Sequence, residues 1–154
     1  MKRTIKELIF ALAVLGVTAF IFSNSLKGID ASVQDSDAVI AIIRPILEAL
    51  GIRGDINWHF IVRKGAHLTE FALLGVAVAL FVIAVKRDKR LRGYELVYPL
   101  GVAAADELIQ SFSDRTSQLD DVLIDFVGAT VGFCAVWLIS YLIFKRKKDE
   151  NRHE

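Results

Sequence analysis

The residues best suited to chemistry in this 154-residue chain sit inside, or at the edge of, long apolar runs. They fall in three groups: Arg63, Lys64, His67 and Glu70; then Asp106, Glu107 and Gln110; then Asp121 and Asp125, with Arg115 between the last two groups. An imidazole next to carboxyls can act as a general base, a ligand or a proton relay. The candidate catalytic set is therefore His67, Glu70, Asp106, Glu107, Gln110, Asp121 and Asp125. Arg63, Lys64 and Arg115 are the candidate substrate-binding cations, because guanidinium and ammonium groups grip phosphate or carboxylate, arginine as a two-pronged fork. The same nitrogen and oxygen donors admit a divalent metal, with His67, Glu70, Asp106 and Asp121 as its set. No compact His-Glu-x-x-His motif is present, and the acid/base reading requires no cofactor. The simpler alternatives are a histidine that only hydrogen-bonds a neighbour and cations that snorkel to lipid headgroups.

These residues matter because of what surrounds them. The chain is 54% hydrophobic with a mean hydropathy of +0.45, more apolar surface than a soluble domain of this size can hide. Four spans are predicted, at about 5–23, 60–85, 94–112 and 121–144, against the roughly 17–25 residues needed to cross hydrocarbon. The first begins after a basic start and resembles a signal peptide. Phe20-Ile21-Phe22-Ser23-Asn24-Ser25 lacks a clean small-x-small cleavage site, so a retained helix is expected. The third span is the weakest, because Asp106, Glu107 and Gln110 lie in it.

Orientation follows from the basic residues. Three precede the first span, five lie between the second and third, and five follow the fourth, which is thirteen of nineteen on one side. The positive-inside rule puts that side in the cytoplasm, with both termini. At 1.5 Å per residue, His67 lies about 28 Å from Lys86, Asp106 about 20 Å from Gly93 and Asp125 about 30 Å from Lys145. All three therefore reach the outer third of a hydrocarbon layer about 30 Å thick. Arg63, His67 and Glu70 share one helix face; Asp106 and Gln110 share another; Asp121 and Asp125 continue into Gly128 and Gly132, a Gly-x-x-x-Gly stripe that admits a close neighbour. The fold expected is all-α: an integral membrane four-helix bundle, N-in/C-in, forming a single membrane domain. A short amphipathic helix is expected in the first outer loop. There Ser36 or Asp37 can cap a helix, Val39 to Leu50 show helical spacing, Gly51 stops it, and Pro45 bends or breaks it.

Charges at such depth cost roughly 2.5–3.5 kcal/mol each at the bilayer centre and less toward the interface. The acids outnumber the nearby cations, so at least one carboxyl is expected to be protonated or balanced by a bound cation. Several functions are excluded or weakened. Cys134 has no partner in the chain, which rules out an internal disulfide and a cysteine zinc site. A net charge of +1 gives no footprint for nucleic acid.

Taken in order, Arg63-Lys64-x-x-His67-x-x-x-Phe71, Asp106-Glu107-x-x-Gln110 with Arg115, and Asp121-x-x-x-Asp125-x-x-Gly128 resemble the VanZ-like family. The Ser23-Asn24-Ser25 exit of the first helix resembles that family's serine-rich exit. This chain departs from the pattern with Phe71 in place of a tyrosine and Asp125 in place of an asparagine. The resemblance implies a multi-pass cell-envelope membrane protein with a link to glycopeptide (teicoplanin) resistance, and it supplies no reaction. Three functions follow. The first is an outward-facing enzyme or binding site for a lipid-linked or cell-wall-derived anionic substrate, or for the glycopeptide. The second is an interaction or structural protein locked by its polar cluster. The third is a proton or ion pathway, which lacks polar residues in the inner halves of the helices. Membrane lipids are partners in every case.

Overall fold

The computed structural model describes residues 2–52, 54, 56–86, 92–112 and 119–150. Among these, all regular structure is helical: α1 (Lys2–Ser25), α2 (Ile29–Ala49), α3 (Trp58–Val85), a short 3-10 turn (Gly93–Leu96), α4 (Val97–Ser111) and α5 (Leu119–Glu150). Three segments are long and apolar enough to cross a membrane: Thr4–Ser25, Trp58–Val85 and Asp120–Ile143. The expected third span is helical but is not among these three. Its first turn, Gly93–Leu96, is 3-10, and α4 proper has 15 residues.

α3 and α5 are the spine. Leu68 and Ala72 of α3 face Gly128 and Gly132 of α5 so closely that a β-carbon on either glycine would overlap a carbonyl oxygen of the other helix. Gly75 answers from α3, where a β-carbon would overlap the carbonyl of Ala129. The small-residue stripe seen on α5 thus has a partner notch on α3, and backbone-to-backbone contact of this kind is how membrane helices gain packing energy without a hydrophobic drive. Residue numbers rise together from Lys64–Asp121 through His67–Asp125 and Leu68–Gly128 to Ala72–Gly132, so α3 and α5 run parallel. α1 and α4 are parallel to each other: Thr18 Oγ1 meets Tyr98 Oη at 3.0 Å and Ser25 meets Asp106. α1 packs on α3, and α4 packs on both α5 and α1.

The shared core is apolar below the polar level. Val14 and Ile21 of α1 meet Phe71, Leu74 and Val78 of α3, Val102 and Ala103 of α4, and Ala129 of α5. Outside, Leu8, Leu12 and Leu15 on α1 and Val131, Leu138 and Ile139 on α5 are at least half exposed. Such a surface suits lipid.

α2 corrects the expectation of a short helix. It is 21 residues long, starts two turns before Ser36, and runs on through Pro45. Ser36 does not cap it: its hydroxyl donates back to the Ser32 carbonyl at 2.9 Å, the i−4 pattern of a helix interior. Gly51 ends the segment as expected, at φ +88°, a left-handed conformation that suits glycine. Pro45 removes one backbone donor without breaking the helix, and Leu50 N–H still reaches the Ile46 carbonyl at 3.1 Å. α2 has no buried residue and rests on α3.

Candidate functional site

Helix α3 supplies the histidine. Asn57 caps α3 by accepting the Phe60 N–H at 3.1 Å, and Arg63, His67 and Glu70 follow on one face of the helix. His67 is buried, and its Nδ1 lies 3.1 Å from Asp125 Oδ1 on α5 and 4.0 Å from Asp106 Oδ2 on α4. Asp106 and Asp125 are fully buried. Asp106 is held from two sides: Ser25 Oγ of α1 donates to its Oδ1 at 2.5 Å, and Gln110 Nε2 donates to its Oδ2 at 2.8 Å. One polar knot therefore joins α1, α3, α4 and α5. Asp125 Oδ2 and Gln110 Oε1 are buried without a hydrogen-bond partner. Glu107 is also buried, beside this knot on α4.

One turn toward the start of α5, Asp121 is buried and takes both nearby cations. Lys64 pairs with its Oδ1, and Arg63 Nη2 lies 3.4 Å from its Oδ2. Lys64 Nζ also sits 5.4 Å from the centre of the Phe60 ring, a cation–π distance. Lys64 is thereby committed to Asp121 and does not line the cavity described next. Arg63 does line it, and its Nε is buried without a partner.

The cavity lies between α1, α2 and α3 and measures about 290 Å³. Asn24, Ser25, Lys27, Asp35, Arg63, His67 and Glu70 are in its wall, with Phe20, Val39 and Val62 as apolar patches. Glu70 is half-buried and accepts a hydrogen bond from Asn24 Nδ2 at 2.8 Å. Lys27 is neutralised by Asp35 at 2.7 Å. His67 is the hinge between the two regions, lining the cavity while its Nδ1 points into the buried carboxylates.

The sequence-level site is thus partly gathered and partly divided. His67, Asp106, Asp125 and Gln110 come together; Asp121 stands apart with Lys64 and Arg63; Glu70 belongs to the cavity wall. Arg115 lies outside the described residues. The metal-ligand set changes accordingly: His67, Asp106 and Asp125 bring donor atoms within 4.8 Å of one another, while Asp121 and Glu70 are taken by other partners. Asn24, Ser25 and Gly75 have no role that local sequence pattern reveals. The Ser23-Asn24-Ser25 exit was visible there, but its side chains gain meaning only from the helices they face.

A second polar contact closes the opposite end of the helices. Lys86, at the C-cap of α3, pairs with Glu95 and donates to Tyr94 Oη at 2.8 Å, while Glu95 Oε2 accepts the Arg92 N–H at 2.6 Å. The Glu95 hydrogen bond first, and Tyr94 second, hold the Lys86 ammonium above its ordinary pKa.

Three helices long and apolar enough to cross a membrane, packed through glycines around a buried polar knot, are consistent with a helical membrane protein. That is the class. The VanZ/LLP1 family model matches residues 10–143, and the chain belongs to that family. No curated protein and no solved structure matches it.

Proposed function

We propose that this chain is a four-span protein of the cell envelope whose cavity faces outward and binds, or acts on, an anionic lipid-linked or cell-wall-derived molecule. The third span in chain order is the 3-10 turn plus α4: four 3-10 residues at about 2.0 Å each and fifteen α-helical residues at about 1.5 Å each reach roughly 30 Å, the thickness of the hydrocarbon layer. Three basic blocks on one side argue for cytoplasmic termini and a cell-membrane location. The outer placement of the cavity follows, since it lies at the end of the helices remote from Lys86 and Glu95.

The observation that carries the reading is the pairing of Arg63 and His67 in one cavity wall. Arg63 offers a buried, unpartnered Nε, a donor suited to a phosphate or carboxylate oxygen. His67 offers an imidazole backed by Asp125 and Asp106, an arrangement that fixes its tautomer and supports proton transfer. The apolar patches at Phe20, Val39 and Val62 suit the chain of a lipid carrier. The exposed apolar flank of α1 gives such a carrier a lateral approach from the bilayer.

The competing view, a knot that only locks the helices, gains support from the four helices it joins. A lock would leave no buried acceptor idle, and Asp125 Oδ2 is idle. An ion pathway gains none, because the core below the knot is lined by Leu74, Val78, Ala103 and Ala129.

Native mass spectrometry of the full chain with undecaprenyl phosphate and with undecaprenol tests the proposal. The phosphate should be preferred at least tenfold, and Arg63→Gln should erase that preference while the variant remains folded. Equal binding of phosphate and alcohol by the wild type refutes it. On the same reading, expression in a susceptible Gram-positive host raises the inhibitory concentration of teicoplanin, and His67→Gln abolishes the increase.

A further inference from the structure

Asp106 and Asp125 are two fully buried carboxylates with a single imidazole between them. Among the described residues, the cations of α3 nearest His67, Arg63 and Lys64, pair with Asp121. Asp106 is oriented by two neutral donors, Ser25 and Gln110, which stabilise a carboxylate without cancelling its charge. Asp125 has one oxygen on His67 and the other on nothing. Burying charge without a counter-charge is costly, and a buried acceptor without a donor adds to the cost.

We propose that His67 Nδ1, one oxygen of Asp106 and one oxygen of Asp125 bind a first-row divalent metal ion such as Zn²⁺ or Mn²⁺. The donor atoms lie within 4.8 Å of one another, with His67 Nδ1 3.1 Å from Asp125 and 4.0 Å from Asp106. Ligands held at 2.0–2.2 Å from a tetrahedral ion are about 3.3–3.6 Å apart, so small side-chain rotations close the site. Mixed imidazole and carboxylate donors with no thiolate suit these metals. Ser25 and Gln110 take the outer-shell positions that orient a ligating carboxylate. Three protein ligands leave room for a further oxygen at the ion, and this site, which rests on the cavity reading above, adds to it an ion in the knot directly behind the His67 ring. A divalent charge also offsets the two buried carboxylates.

The test is metal analysis of the purified full chain, stripped with chelator, reloaded with Zn²⁺ or Mn²⁺ and passed through a desalting column without added lipid. About one ion per chain should be retained, and the loaded protein should melt higher than the stripped protein. Asp125→Asn and His67→Gln should each weaken binding at least tenfold. Gln110→Ala should weaken it by roughly ten- to a hundredfold, as outer-shell changes do. The exposed His59–Asp37 pair, 3.5 Å apart, is the rival site. Loss of the ion in His59→Ala, with retention in Asp125→Asn, overturns the proposal. So does a wild type that retains no ion and shows no change in melting on loading, a measurement independent of whether any variant folds. Because no lipid is present, a failure here leaves the undecaprenyl phosphate result untouched, and the reverse also holds.

Discussion

Adding one methyl group to Gly132 should loosen both the fold and the site. Its β-carbon would overlap the carbonyl oxygen of Ala72, a backbone atom that cannot rotate away, so α3 and α5 must part. Overpacking of this kind costs roughly 1–3 kcal/mol, against a gain of up to about 1 kcal/mol from replacing glycine with alanine in a helix. The control is Gly16 of α1, where an added β-carbon meets nothing within 4 Å. Gly132→Ala should therefore melt below wild type, and Gly16→Ala at or above it. For a chain of this size about 1 kcal/mol corresponds to roughly 2–4 °C, so the expected fall for Gly132→Ala is several degrees. Gly128→Ala and Gly75→Ala should behave like Gly132→Ala. The assay is thermal denaturation in detergent, followed by size-exclusion chromatography of the surviving fraction. The same parting would lengthen the 3.1 Å His67–Asp125 contact, because His67 and Asp125 flank the Leu68–Gly128 crossing. Gly132→Ala should thus also weaken the His67–Asp125 hydrogen bond, visible as a changed imidazole ring chemical shift by NMR. A Gly132→Ala protein as stable as Gly16→Ala would refute the close-packing argument.

Asp121→Asn should cost roughly 1–3 kcal/mol, less than for a fully buried pair because Lys64 and Arg63 are 15% and 32% exposed. Adding Lys64→Met should recover part of that loss, and a double-mutant cycle showing strict additivity would contradict the pairing. Gln110→Leu removes a donor from buried Asp106 and should cost about 1–3 kcal/mol, read by the same melting assay. Lys86 has a pKa raised by Glu95 and Tyr94, so its contribution is complete below the ordinary lysine value of 10.5 and fades as pH climbs through the higher folded value. The melting difference between wild type and Glu95→Gln should accordingly be constant up to about pH 10 and shrink above it; a difference that grows with alkalinity would contradict this sign.

Much of this architecture is legible in the chain alone. Hydropathy marks three helices outright, because length and apolar content are local properties, and the order of the polar motifs identifies the family. Helical periodicity alone puts Asp121, Asp125, Gly128 and Gly132 on one stripe and His67 on the inner face of α3. What local reasoning misjudged were elements whose signals compete. Ser36 and Asp37 look like caps, yet both lie inside α2, which rests on α3. The 94–112 segment looks like a plain span but opens with a 3-10 turn, whose Glu95 swings back to Lys86.

Partner choice was decided only in three dimensions. Five acids at similar depth are interchangeable on a helical wheel, and periodicity cannot say which one a cation reaches. The parallel docking of α3 on α5, fixed by glycines at 75, 128 and 132, sets the register. That register gives Asp121 to Lys64 and Arg63 and leaves Asp125 for His67. Ser25 reaches Asp106 across 81 positions of sequence because α1 and α4 run parallel. Residue type and helix phase are properties of the chain; which buried charge meets which is a property of how the helices pack.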